Sequence, residues 1–340
     1  STSLPLSKNG NVIGAKFDDA SESLVTVVGA IVAGSYVLPG ELRSTKISTG
    51  SIARDPIGSN LWLEVVAFSL DGKLFATAAG ERSVQVWNVE SGEPSSTAIE
   101  LPSAPKCLAF SNDRSMLLIG TEAGDVHIVN LATGKNVSAP IELGQRISAV
   151  SFFPDSDRFI VGGWDQKVRV YSISLGLDAK PIEFSQESLI TSVGVEPAGT
   201  MYFTCTANGS IRLWDANTHT QIGPVMKYGS RVKHAIFAPD GKTIFASYFD
   251  GSTRQWDVRN HAEIGPPLWQ SKEIMALDIS SDGEWLGTAS ADWTLKLWKV
   301  GLARGTPEIV QRRYERLTNM QRLEDGSLNV LTIPQWQARQ

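Results

Sequence analysis

The sequence is poor in the residues that usually carry chemistry. Its 340 residues include only two cysteines and four histidines. No glycine-rich phosphate loop, nucleophile elbow, His-x-x-His or Cys-x-x-Cys spacing occurs. His127, His219, His234 and His261 lie in four unrelated contexts with no shared carboxylate arrangement. These absences argue against a catalytic centre, a metal site and a cofactor. Asp155 and Asp157 come nearest to a metal loop, yet they fall in an ordinary turn, where solvated carboxylates are the expectation. Cys107 and Cys205 fall in separate predicted strands, so they read as reduced core thiols, which suits a cytoplasmic setting. The net charge of −5 is spread along the chain, and no field of one sign points to nucleic acid or a membrane surface.

Long hydrophobic runs are also scarce. Leu24–Leu38 is apolar for about 15 residues, short of the roughly 20 that a bilayer requires. Gly29 and Gly34 interrupt it and Pro39 ends it. It reads as the second and third strands of a repeat, not as a membrane span. The chain starts at Ser1 and no signal peptide precedes the first repeat, which reads as an excised domain or a processed product.

What the sequence does have is a ruler. Trp298 is preceded by Trp256, Trp214, Tyr171, Val129 and Trp87, at steps of 42, 42, 43, 42 and 42 residues. Nineteen positions before each stand Ile279, Phe237, Val195, Phe152, Phe110 and Phe68. A seventh, degenerate pair is Phe17 and Tyr36, again 19 apart. Turn signals such as Asp282-Gly283 separate short apolar strands within each unit. A period of about 40–45 residues with four strands per unit is the sequence signature of a β-propeller.

The units resemble the Trp-Asp repeats of the WD-repeat propeller family. Trp214-Asp215 and Trp256-Asp257 keep the dipeptide, Trp87-Asn88 and Trp298-Lys299 keep the Trp, and Val129-Asn130 and Tyr171-Ser172 have lost it. The family's Gly-His pair is absent from every unit. The resemblance therefore implies that the structural His–Asp network is missing or partial, although Asp165, Asp250 and Asp292 keep the turn acid. Ile264–Leu268 is similar to outer strands of propellers in bacterial and fungal multidomain proteins. The resemblance covers 12–305.

The expected fold is thus all-β: a seven-bladed β-propeller of four-stranded antiparallel blades over 1–305. Its units are expected at about 12–50, 61–101, 102–143, 144–184, 185–226, 227–268 and 269–305. A loop over Ser51–Asn60 is expected between the first two units. The remainder, 306–340, is expected to add a short C-terminal helix at about 307–321, opened by Thr306-Pro307-Glu308. Ser327–Ile333 follows as a possible strand. Three segments could supply the fourth strand of the last blade: Thr2–Ser7, Thr306–Gln311 and Ser327–Ile333. The first is favoured, as a clasp between the chain's two ends. Ring closure would also bring together Lys16 and Asp278, opposite charges at one repeat position.

Function sits on sites carried by a fold rather than in the fold. In the family the rim between units and the turn between second and third strands form one face around the channel. The ruler puts Trp62, Lys106, Arg146, Trp164, Arg231, Lys233 and Phe249 on that face. Aromatic and Arg anchors are what binding hot spots favour. The reading is a non-catalytic scaffold or sensing propeller that binds a protein or peptide partner, within a larger protein or assembly. Nucleic-acid binding through the basic and aromatic residues is the second reading, and a propeller hydrolase the third.

Overall fold

The computed structural model describes residues 2–5, 12–18, 23–28, 32–33, 36–37, 40–46, 52–59, 63–79, 82–300, 320–322 and 328–330. The chain divides into two compact units, Ser1–Lys299 and Val300–Gln340. The first is a seven-bladed propeller of antiparallel sheets.

Each blade starts with an inner strand whose last residue is the ruler's first mark. These strands are Val12–Phe17, Leu63–Phe68, Pro105–Phe110, Ile147–Phe152, Ile190–Val195, Val232–Phe237 and Ile274–Ile279. They neighbour one another in sequence order, and the first neighbours the last, so the ring is closed. The second strands read as near-continuous apolar runs. Met116–Thr121, Arg158–Gly163 and Met201–Thr206 share the pattern of one half-buried residue followed by five buried ones. Such runs mark strands covered on both faces, here by the adjoining blades. Outer strands such as Gln221–Lys227 and Glu263–Trp269 are largely exposed and carry prolines that an edge tolerates.

The core is a series of clusters between neighbouring blades. One joins Phe203, Cys205 and Leu213 of the fifth blade to Phe237, Ile244 and Trp256 of the sixth. Another joins Val12, Phe17 and Leu24 of the first to Ala289, Leu295 and Leu297 of the seventh. Close approach needs small residues. A Cβ on Gly120 would stand 2.5 Å from Ile147 Cγ2 of the next blade. Cys107 and Cys205 are both free thiols, the first half-buried and the second buried.

Three of the ruler's tryptophans donate their indole N–H to a second-strand threonine: Trp87 to Thr77, Trp214 to Thr204 and Trp298 to Thr288, at 2.8–2.9 Å. In two blades a buried glutamine continues the chain of bonds. Gln186 Nε2 donates to Thr204 Oγ1 at 3.2 Å, and the Thr288 hydroxyl donates to Gln270 Oε1. Glutamine thus bridges strand and crossover in repeats that lack the Gly-His pair.

The first blade departs from its expected layout. Its third strand is Gly40–Lys46, not the Tyr36 region, and its fourth is Ile52–Ser59, where a loop was expected. Val32–Ala33 pairs with Tyr36–Val37 in a small extra hairpin between the second and third strands. The 19-residue spacing of Phe17 and Tyr36 therefore does not mark equivalent strands. The extra hairpin displaces the third strand along the chain, and the ruler cannot register an insertion inside a unit.

The N-terminal strand supplies the missing strand of the seventh blade. Thr2–Pro5 pairs antiparallel with Thr294–Lys299, placing Leu4 opposite Leu295. In the second unit Met320–Arg322 pairs with Leu328–Val330. Met320 and Gln321 are therefore strand where helix was expected, because they pair with Val330 and Asn329; 307–319 lie outside the described residues. No helix among the described residues is long and apolar enough to cross a membrane.

Ring closure does bring Lys16 and Asp278 together. Lys16 Nζ lies 3.3 Å from Asp278 Oδ1, and the Phe17 N–H donates to Oδ2 at 2.8 Å. Burial holds the Asp278 carboxyl above its ordinary pKa, with Lys16 and the Phe17 N–H pulling the other way. The native state thus keeps the Asp278 proton to a higher pH than the unfolded chain does. That contribution to stability is full below about pH 4 and is lost as pH rises through the raised value. Denaturation midpoints of wild type relative to Asp278→Asn should accordingly fall as pH climbs from about 4. A difference that rises with pH would show the ion pair outweighing burial.

Candidate partner-binding face

One backbone hydrogen bond recurs at the junction of turn and crossover. The residue just after the second strand donates its N–H to the carbonyl of the crossover before the inner strand. Examples are Glu122 to Ala104, Trp164 to Arg146, Ala207 to Leu189, Phe249 to Arg231 and Ala291 to Glu273, at 2.8–3.0 Å. The fold therefore sets two ruler positions side by side in every one of these blades. Which side chains meet there is left to the sequence.

In the fourth blade an aromatic meets an arginine. The Arg146 guanidinium lies 4.5 Å from the centre of the Trp164 ring. Arg146 also reaches Glu122 of the third blade at 3.4 Å, and Lys106 reaches the same carboxylate at 3.5 Å. The sixth blade repeats the arrangement. Arg231 and Lys233 lie 6.0 and 5.6 Å from the centre of Phe249, and Lys233 pairs with Glu273 at 2.7 Å. Trp164 and Phe249 remain 40% and 54% exposed. A cation over a wet ring contributes about 0.5–1 kcal/mol, so each pair is oriented without being buried.

The structure thus brings six of the expected residues into two clusters: Lys106, Arg146 and Trp164, and Arg231, Lys233 and Phe249. Trp62 lies outside the described residues. The expected positive bias of this face is smaller than the cations alone suggest, since Glu122 and Glu273 sit among them. Arg231 has no carboxylate partner among the described residues.

Two exposed aromatics escaped the sequence reading. Trp269 ends the outer strand of the sixth blade and Trp293 sits in the turn of the seventh, 48% and 44% exposed. The signal for Trp293 was one position away: the reading took the residue before the turn acid, and Trp293 follows Asp292. Trp269 carries no such mark, because outer strands vary most in length. Asp155 and Asp157 serve their own turn. Asp155 accepts the N–H groups of Asp157 and Arg158, and Asp157 accepts from Ser172 and Ser174.

Four stretches match the family described as WD domain, G-beta repeat: 142–172, 182–215, 223–257 and 268–299. Each begins in the outer strand of one blade and ends in the third strand of the next. No curated protein matches the sequence.

Proposed function

We propose, from the WD-repeat match of four stretches and the seven-bladed arrangement, that the chain is a WD-repeat propeller serving as a non-catalytic scaffold that holds a protein or peptide partner on its turn-and-crossover face, within a larger assembly. Propellers of this family are generally protein-interaction modules, typically without catalytic activity. The observation that carries the reading here is the twice-repeated pairing of an exposed aromatic with a cation, Trp164 with Arg146 and Phe249 with Arg231. A rigid ring supplies preorganised anchors, so little ordering is needed on binding. Two free thiols within the blades accord with a reducing, cytoplasmic setting. Nucleic-acid binding is the weaker reading, because Glu122 and Glu273 break up the positive surface that phosphate tracking uses.

The test is capture of partners by the full chain from its native extract, with Trp164→Ala, Phe249→Ala and Arg231→Glu alongside. The three variants should lose partners yet shift stability by no more than about 0.5 kcal/mol, as exposed substitutions do. If all three retain every partner, the face is not the binding surface.

A further inference from the structure

Three of the four exposed aromatics among the described residues' large hydrophobics bracket a single crossover. Phe249, Trp269 and Trp293 are 54%, 48% and 44% exposed, whereas Trp164 stands on the fourth blade. The crossover begins at Gln270, whose N–H donates to Gly251 O at 3.0 Å. Its side chain donates to Thr294 O and Oγ1 at 3.2 and 3.0 Å, and Ser271 Oγ donates to Asp292. One short segment is thus bonded to the turns of both the sixth and seventh blades. Each of the three aromatics lies within two residues of those bonds.

Trp293 occupies a position that favours glycine. The equivalent turn residues are Gly124, Gln166, Gly209 and Gly251, with φ of 101°, 64°, 85° and 89°, and Trp293 itself has φ 67°. A bulky side chain in the left-handed region is an outlier, and residues held in such conformations cluster at functional sites. The fold would take glycine at this position more easily.

The charges around this rim are unequal. Arg231 and Lys272 are exposed and have no carboxylate partner among the described residues. Glu273 pairs with Lys233, whereas Asp250 and Asp292 keep their charge and are held by neutral donors, Tyr228 and Ser252 for the first and Ser271 and Thr294 for the second. A fourth cation, Lys296, reaches the same rim, its Nζ donating to Trp269 O at 3.1 Å, so cations outnumber these carboxylates. Resting on the face assignment above, we propose that the rim between the sixth and seventh blades docks an acidic peptide segment with one large apolar side chain. The apolar group seats among Phe249, Trp269 and Trp293, and the acids meet Arg231 and Lys272.

A displayed random dodecapeptide library selected on the full chain tests this. The enriched sequences should carry several Asp or Glu residues around one aromatic or Leu. Affinity of the best synthetic peptide should fall at least tenfold in Trp293→Gly and in Arg231→Glu, and should weaken as salt rises. Trp164→Ala should leave it within twofold. Trp293→Gly should melt no lower than wild type, because it relieves the left-handed backbone. Should it melt lower, Trp269→Ser carries the binding comparison instead. Failure to enrich, enrichment of neutral or basic sequences, or tighter binding of a 20-nucleotide single strand than of the peptide would overturn the proposal. Loss in Trp164→Ala but not in Trp293→Gly would overturn this location while leaving the wider face in place.

Discussion

Trp256→Ala should lower the stability of the propeller by about 3–5 kcal/mol, the range for truncating a buried Trp. Trp256 is 5% exposed on the third strand of the sixth blade. It packs in the cluster that joins this blade to the fifth, with Phe203, Cys205 and Ile244. Its indole N–H donates to the Tyr248 hydroxyl at 3.1 Å, and Tyr248 is fully buried. The truncation therefore removes apolar contact, opens a cavity and leaves a buried hydroxyl without its donor. An unsatisfied buried group alone costs about 1–3 kcal/mol. Trp256→Phe keeps much of the volume and loses only the bond, so it should fall between the two. Guanidinium midpoints for the three proteins check this order. If Trp256→Ala unfolds no more easily than Trp164→Ala, the assignment of core and face is reversed.

Deleting residues 1–8 should cost about 2–4 kcal/mol and make the chain self-associate. The deleted stretch contains Thr2–Pro5, which pairs along four positions of Thr294–Lys299. Backbone bonds of this kind contribute about 0.5–1.5 kcal/mol each. Their loss turns a central strand into an open edge, and open edges recruit other chains. Leu295 and Leu297 of the strand so exposed also belong to the cluster with Phe17 and Leu24 that joins the first and seventh blades. Thermal melts with light scattering at several concentrations separate the two effects. A deletion that melts with wild type and stays monomeric would show that the clasp contributes nothing.

The ruler was legible because each blade solves the same packing problem. An inner strand must end on a large apolar residue, and the third strand must place one between blades. Six of the seven pairs mark equivalent strands. The seventh misled: an inserted hairpin at Val32–Val37 changed which residues pair while leaving a 19-residue spacing intact. The face was legible for a related reason. A recurring bond between turn and crossover fixes which positions meet, so Trp164, Arg146, Phe249 and Arg231 could be put on one face from spacing alone, while their pairing came from the structure. Trp293 was missed because spacing pointed to the residue before the turn acid, whereas the left-handed position after it, glycine in three other blades, holds the exposed tryptophan here.

Taken by itself, the sequence determined the repeat, the all-β class, the seven units, the favoured clasp and the Lys16–Asp278 pair. These follow from periodicity and from the single requirement that a ring close on itself. The tertiary structure decided how far the cations are neutralised by Glu122 and Glu273, and that glutamines bridge crossover to strand. It also decided that Phe249, Trp269 and Trp293 gather around one crossover. Such relations join residues of different blades through side chains whose reach and direction no linear spacing encodes. Repetition determines where each blade sits, and only packing between blades determines what its rim presents.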